Sequence, residues 1–253
     1  MRDPRSILIT GASSGIGAAL AELYAAPGRF LALTGRNQER LEAVATRCRS
    51  RGAEVESALL DIRDAAALAG WIAETDRRHP LDLGVANAGV ALGSNGSAET
   101  AAAVRQTFAV NVDGVLNTVL PLVPPMRDRR RGQIAIVSSL ASFRGIPGSG
   151  AYCASKAAER VFGEGLRGDL APFGVGVSVI CPGFIRTPMT DVNPFPMPFL
   201  MEPERAAVII RRGLEGNRAR IAFPWPMYAA CWLLGVLPPA WTDGLLHRTP
   251  RKP

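Results

Sequence analysis

The sequence predicts a doubly wound α/β fold: one parallel seven-stranded sheet with helices on both faces, in a single domain that ends in an apolar helical extension. Three features of the chain carry that expectation. Short apolar runs at 6–10, 30–34, 55–60, 83–87, 133–138, 175–181 and 220–223 alternate with helical stretches, and such alternation builds parallel sheets flanked by helices. The first run, Ser6-Ile7-Leu8-Ile9-Thr10, passes through a glycine-rich turn straight into a helical pattern, as strand, turn and helix do in a nucleotide-binding unit. The 253 residues, 47% of them hydrophobic, are enough to bury one large core, and no Pro/Ser-rich linker or charge run divides them. The domain proper is expected over about 5–223, with 224–253 as the extension.

The turn reads Gly11-Ala12-Ser13-Ser14-Gly15-Ile16-Gly17. Glycines there let backbone N–H groups approach a pyrophosphate, and a helix opening at Gly15 points its positive end at that anion. Gly11, Ser13, Ser14, Gly15, Ile16 and Gly17 are therefore candidate cofactor contacts. The spacing T-G-x-x-x-G-x-G differs from the G-x-G-x-x-G of the wider dinucleotide fingerprint. At the end of the second strand a carboxylate would bind adenosine ribose hydroxyls, whereas an arginine would accept a 2′-phosphate. The chain has Thr34-Gly35-Arg36-Asn37 and no acid before Glu39. Arg36 points to NADP(H) as the preferred cofactor, with NAD(H) second, unless it is only a solvated charge leading the next helix.

Lys156 is one of two lysines among 29 basic residues, the other being Lys252. A chain that otherwise writes positive charge as arginine has kept a compact ammonium here, in Tyr152-Cys153-Ala154-Ser155-Lys156. On a helix this four-residue spacing stacks the pair on one face, where the ammonium favours the phenolate and makes Tyr152 a candidate acid/base. A free phenol titrates at about 10, so bringing it near neutrality takes roughly 4 kcal/mol. An exposed pair does not supply that; a partly desolvated cleft beside a cationic ring is expected to. Tyr and Lys also fall four apart on ordinary helices, so the pair gains its meaning from the glycine turn.

With Thr10-Gly11-x-x-x-Gly15-x-Gly17 and Tyr152-x-x-x-Lys156 in one chain, the sequence resembles the short-chain dehydrogenase/reductase family in its compact form, over roughly 5–223. The resemblance implies a Rossmann fold and extends to shorter motifs. Asp61, followed by Ile62, matches the family's adenine-contacting aspartate, and Asn87-Ala88-Gly89 its fourth-strand motif. Asn111 matches the catalytic-helix asparagine, and Ser139 the substrate-orienting hydroxyl. Pro182-Gly183-Phe184-Ile185-Arg186-Thr187 matches the segment at the nicotinamide end, with Ile185 and Thr187 at the carboxamide positions. Taken alone, Asp61 could be a helix N-cap, Asn87 a turn residue, Ser139 a strand-end hydroxyl and Asn111 a surface amide. By the family's chemistry the substrate would sit between Ser139 and Tyr152, Lys156 would hold the nicotinamide ribose, and Asn111 would keep a relay water near Lys156. The implied activity is interconversion of an alcohol and a ketone or aldehyde, in a homodimer or homotetramer paired through the helices that carry Asn111 and Tyr152.

Composition narrows the alternatives. A net charge of +7 raises nucleic acid as a partner, yet the arginines are dispersed apart from 127–131, which precedes Gly132 and a strand and lacks aromatic interleaving. That cluster reads as a solvated helix end, and no nucleic acid is expected. Cys48, Cys153, Cys181 and Cys231 show no paired spacing, and His79 and His247 stand apart, so the expectation is a reduced, metal-free, cytoplasmic protein. The first strand begins within a few residues of the N-terminus, and a signal peptide is not expected. The segment 188–201, a substrate lid in the family, is rich in Phe, Met and Pro. It points to an apolar substrate, or else those side chains simply pack on the core. Residues 94–99, the lid and the C-terminal helices would shape the pocket, and none carries a substrate-specific motif. The apolar run 228–237 is interrupted by prolines and much shorter than the roughly 20 residues of a membrane span. With Trp241 and the basic end 247–252, it could lie on a membrane surface, cover the pocket or meet another subunit. The competing class is a nucleotide-binding scaffold without turnover; the joint presence of Asn111, Ser139, Tyr152 and Lys156 favours the enzyme.

Overall fold

The structure, a computed structural model, describes residues 3–92 and 99–246. Seven strands, β1 (Ser6–Thr10), β2 (Phe30–Gly35), β3 (Glu54–Leu59), β4 (Leu83–Ala86), β5 (Gly132–Val137), β6 (Val175–Pro182) and β7 (Arg220–Phe223), form one sheet in the order β3-β2-β1-β4-β5-β6-β7. Every neighbouring pair is parallel, and the bounds agree with the expected runs to within one residue. The helices are α1 (Gly15–Tyr24), α2 (Gln38–Ser50), α3 (Ala65–Arg78), α4 (Ala101–Phe108), α5 (Gly114–Val119), α6 (Val123–Asp128), α7 (Gly150–Leu170), α8 (Pro203–Glu215), α9 (Trp225–Val236) and α10 (Pro239–Leu246).

Burial of both sheet faces explains the continuous apolar strands. Ile7 and Ile9 turn to one face, packing with Leu20 of α1, Leu41 and Val44 of α2 and Ile210 of α8. Leu8 turns to the other, with Leu68 and Ile72 of α3, Val115 of α5 and Leu170 of α7. Gly163 lets α7 lie close on the sheet, since a Cβ there would come within 2.6 Å of Val179 on β6. Helix starts are capped by the residue types that do this work: Asn37, Asp64 and Thr100 accept from the backbone N–H three residues on. The start of α7 is held from a distance, by the Glu99 carboxylate accepting from the Ala151 N–H at 3.2 and 3.0 Å.

The arginines of 127–131 are largely spoken for: Arg129 pairs with Asp76 and Arg131 with Asp82, while Arg127 lies over the Phe173 ring. Among the described residues no helix is long and apolar enough to cross a membrane. The C-terminal extension folds back instead. Tyr228 of α9 meets Phe143 edge-on at 5.5 Å, and Arg144 donates to Asp243 and Thr242 of α10 at 3.0 and 3.2 Å. The same helix leaves Trp225, Trp232 and Val236 exposed.

Candidate active site

Sheet order reverses between β1 and β4, so the connections leave on opposite faces and a cleft opens beyond the C-terminal strand ends. That cleft encloses about 940 Å³, and of the residues singled out from the sequence all but Gly17 and Asn111 line it. The glycine turn is built as a backbone cradle. Gly11 and Gly15 have φ of +67° and +56°, in the left-handed region. A Cβ on Gly17 would sit 2.4 Å from the Gly11 carbonyl oxygen, so Gly17 shapes the cradle from behind. Asn87 stitches it to β4: its Nδ2 donates to the carbonyls of Thr10 and Gly11 at 3.0 and 3.2 Å, while the Thr10 Oγ1 accepts from the Asn87 N–H. Ala88 and Gly89 continue along the cleft floor.

At the β2 end, Arg36 and Arg40 are both exposed and both line the cleft. Arg40, in the first turn of α2, was not among the sequence candidates. Asp61 is gripped by Arg63, whose Nη2 lies 2.5 Å from Oδ2. The Arg63 hydrogen bonds hold the Asp61 carboxyl below the usual range. Asp64 rather than Asp61 caps α3, and Ile62 is fixed through its carbonyl by Asn117 Nδ2 at 2.9 Å.

The reactive end is organised by α7. Ser138 Oγ donates to the Lys156 carbonyl at 2.7 Å, tying the helix to the end of β5, and Ser139 begins the short turn that follows. The Lys156 ammonium lies 5.9 Å from the centre of the Tyr152 ring. Among the protein's own groups, burial raises the Tyr152 pKa and outweighs the Lys156 charge and the neighbouring Ser139 hydroxyl, which pull it down, so the shift toward neutrality expected for Tyr152 depends on the cationic ring as well. The ammonium is also not free. It donates to the Val137 carbonyl at 3.0 Å and to both Glu159 oxygens at 2.8 and 3.0 Å. Glu159, absent from the sequence candidates, has a side chain only 1% exposed, and burial pushes its carboxyl up to about 7 against the pull of Lys156. Burial pulls the Lys156 pKa down, but the Glu159 carboxylate and Tyr152 together outweigh it and raise it above the usual lysine value.

Asn111 is neither a surface amide nor a cleft residue. It sits in a wide π turn between α4 and α5, fully buried, with Oδ1 accepting from the Val90 N–H at 2.8 Å and Nδ2 donating to the Val90 carbonyl at 2.9 Å and to Ser155 Oγ at 3.0 Å. It thus supports the Gly89–Val90 wall. Pro182, Gly183, Ile185 and Thr187 form the opposite wall, and Thr187 comes so close to the glycine turn that a Cβ on Gly15 would lie 2.7 Å from its methyl group. Of the apolar lid, Met189, Phe195, Pro196 and Pro198 line the cleft together with Met227 and Cys231 of α9, whereas Val192 and Phe199 face outward. The loop expected at 94–99 falls, apart from Glu99, outside the described residues, as do His247 and the basic end up to Lys252.

The family model described as short chain dehydrogenase matches residues 5–194. An uncharacterized oxidoreductase of Myxococcus xanthus is 39% identical over 245 residues, which cover 96% of this chain and 97% of its own. A short-chain dehydrogenase from Sphingobium yanoikuyae, solved in complex with NADPH, superposes with a TM-score of 0.80 at 26% identity, over 97% of this chain and 96% of that one. A short chain dehydrogenase from Mycobacterium paratuberculosis bound to NAD gives a TM-score of 0.76 at 25% identity, over 86% and 94% of the two chains.

Proposed function

This chain belongs to the short-chain dehydrogenase/reductase family, as an oxidoreductase acting on CH–OH and C=O groups, and we propose that within it the protein is an NADP(H)-dependent enzyme for a hydrophobic ketone, aldehyde or secondary alcohol. The observation that carries the proposal is the convergence of Tyr152, Lys156 and Ser139 on a cleft whose other end is a glycine cradle and a pair of arginines. The cradle suits a dinucleotide: a Cβ at Gly15 would crowd Thr187 across it, and one at Gly17 would push on the Gly11 carbonyl that forms its wall. The nicotinamide supplies or accepts hydride when bound.

Everything else falls to the chain's own residues. Gly11 to Ile16 offer backbone N–H groups to the pyrophosphate. Pro182, Gly183, Ile185 and Thr187 confine the nicotinamide end, and Ser139 with Tyr152 orients the substrate oxygen. Tyr152 gives its phenolic proton to that oxygen as negative charge develops, and takes it back in the reverse direction. Lys156 fixes the charge beside Tyr152, and Asn111 keeps the Gly89–Val90 wall in place behind it. The apolar lining from Phe195, Pro196, Pro198 and Met227 favours a substrate with little polar surface. Exposed Phe108, Leu120 and Val161, on or next to the helices through which family members pair, support a homo-oligomer.

NADPH consumption against a panel of apolar ketones and aldehydes tests the activity; a scaffold without turnover would consume none across the panel. Cofactor preference is tested separately. Arg36 and Arg40 together favour a 2′-phosphate, so NADPH should bind at least about tenfold more tightly than NADH, the size of one charge-assisted contact. Arg36→Asp should narrow or reverse the ratio in fluorescence titrations. Equal affinities in the unmodified protein would remove Arg36 from that role.

A further inference from the structure

We propose that α9 and α10 present a docking face for an anionic phospholipid surface, set beside the cleft so that an apolar substrate enters from the lipid. Docking stands apart from the proposed activity; only the delivery of substrate rests on that reading. α9 carries no charged residue along its twelve positions, and a helix apolar on every side needs an apolar medium on more than one of them. Met227, Cys231 and Gly235 recur every four residues; the first two line the cleft, and the third lies against the Phe143 carbonyl. Trp225, Trp232 and Val236 recur at spacings of seven and four, which again share one side of a helix, with Leu233 beside them. These four are 70%, 49%, 58% and 50% exposed, and Trp241 of α10 is 77% exposed. Three of the chain's four tryptophans therefore meet solvent on these two helices.

The chemistry of the face selects its occupant. Tryptophan, an apolar body with a polar N–H, concentrates where hydrocarbon meets water. The sequence that follows α10 carries Arg248, Arg251 and Lys252, and cations next to an apolar aromatic segment complement an anionic headgroup layer. Asp243, the one acidic residue of the two helices, is taken by Arg144. A second copy of the chain suits the face less well, because a twofold contact sets a patch against itself and brings like charges together. Subunit pairing has its own exposed residues in Phe108, Leu120 and Val161, away from α9 and α10 in the sequence. Among the described residues no helix is long enough to span, so contact is confined to the surface of the bilayer. Met227 and Cys231 line the cleft together with Phe195 and Pro196 of the lid, so lipid seated on α9 lies next to the apolar end of the site.

The test is flotation of the full-length, cofactor-free protein with vesicles of phosphatidylcholine mixed with phosphatidylglycerol, against phosphatidylcholine alone. The protein is expected to float with the mixed vesicles, with its tryptophan emission shifted to the blue. It should bind phosphatidylcholine alone about a hundredfold more weakly, since each of three cations near an anionic surface is worth about fivefold. Arg248→Gln, Arg251→Gln and Lys252→Gln together should erase that preference. Trp225→Ser with Trp241→Ser removes the two most exposed side chains of the face and should weaken binding to the mixed vesicles at least about tenfold. Unchanged unfolding midpoints establish that both variants are folded. An apolar ketone loaded into the vesicles should be reduced more slowly by the tryptophan variant, and a water-soluble ketone equally by both proteins; equal rates on the loaded ketone overturn the delivery role. Full-length protein that stays out of the vesicle fraction overturns the docking face, as does binding that survives loss of the two tryptophans. A tryptophan variant that changes oligomeric size, beside an unmodified protein that binds no lipid, assigns the face to a second copy and overturns the proposal too. Absence of NADPH consumption strikes the reductase reading alone, because flotation requires no turnover.

Discussion

Tyr152→Phe binds NADPH within a few-fold of the unmodified protein and loses turnover by about a thousandfold or more. The substitution removes one oxygen and leaves the ring, so the packing of α7 against the sheet and the walls of the cleft are preserved. What disappears is the proton donor at the atom where charge develops, and general acid catalysis is worth about 10² to 10⁴. Loss of the hydroxyl that orients the substrate oxygen beside Ser139 adds to that. Fluorescence titration and NADPH oxidation measured on the same preparation separate the two effects. Activity retained in the variant would take Tyr152 out of the reaction.

Lys156→Met should abolish turnover and also destabilise the fold by about 3 kcal/mol or more at alkaline pH, the range found when one partner of a buried ion pair is removed. The cause is the carboxylate left behind, with a side chain only 1% exposed. Its folded pKa already stands at about 7, above the value for an unfolded chain, because of burial, and loss of Lys156 raises it further. A carboxyl raised on folding lends stability below its unfolded pKa and withdraws it as pH rises through the folded one. The deficit against the unmodified protein should therefore widen as pH rises above about 7 in denaturant unfolding, where Glu159 ionises beside Lys156 but stays protonated in the variant. Lys156→Met combined with Glu159→Leu should recover most of the stability and none of the turnover. A deficit independent of pH would mean that Glu159 is not the source.

Much of this arrangement could be read in advance, because it is written in local pattern. Strands buried on both faces must be apolar throughout, and a backbone cradle must be glycine, so 6–17 and the later runs announce themselves. What stayed hidden depends on tertiary surroundings. Glu159 follows Lys156 at a spacing that on an exposed helix would be a solvated pair of little consequence; only the sheet beneath α7 makes it a buried counter-ion. Asn111 is spent on the Val90 backbone, a partner 21 residues away along the chain. The start of α7 is held by Glu99, which no helix-start pattern within α7 could reveal.

The backward fold of α9 has a bearing on how new specificities arise on this scaffold. A Cβ on Gly235 would lie 2.5 Å from the Phe143 carbonyl, and Met227 and Cys231 face the cavity from the same helix. Helices α9 and α10 are thus the floorboard under the turn that starts at Ser139, fastened by Arg144. Exchanging that floor between relatives would recut the cavity's outline while its chemistry stayed intact, and a protein shortened at Phe223 would lose the ground on which its serine stands.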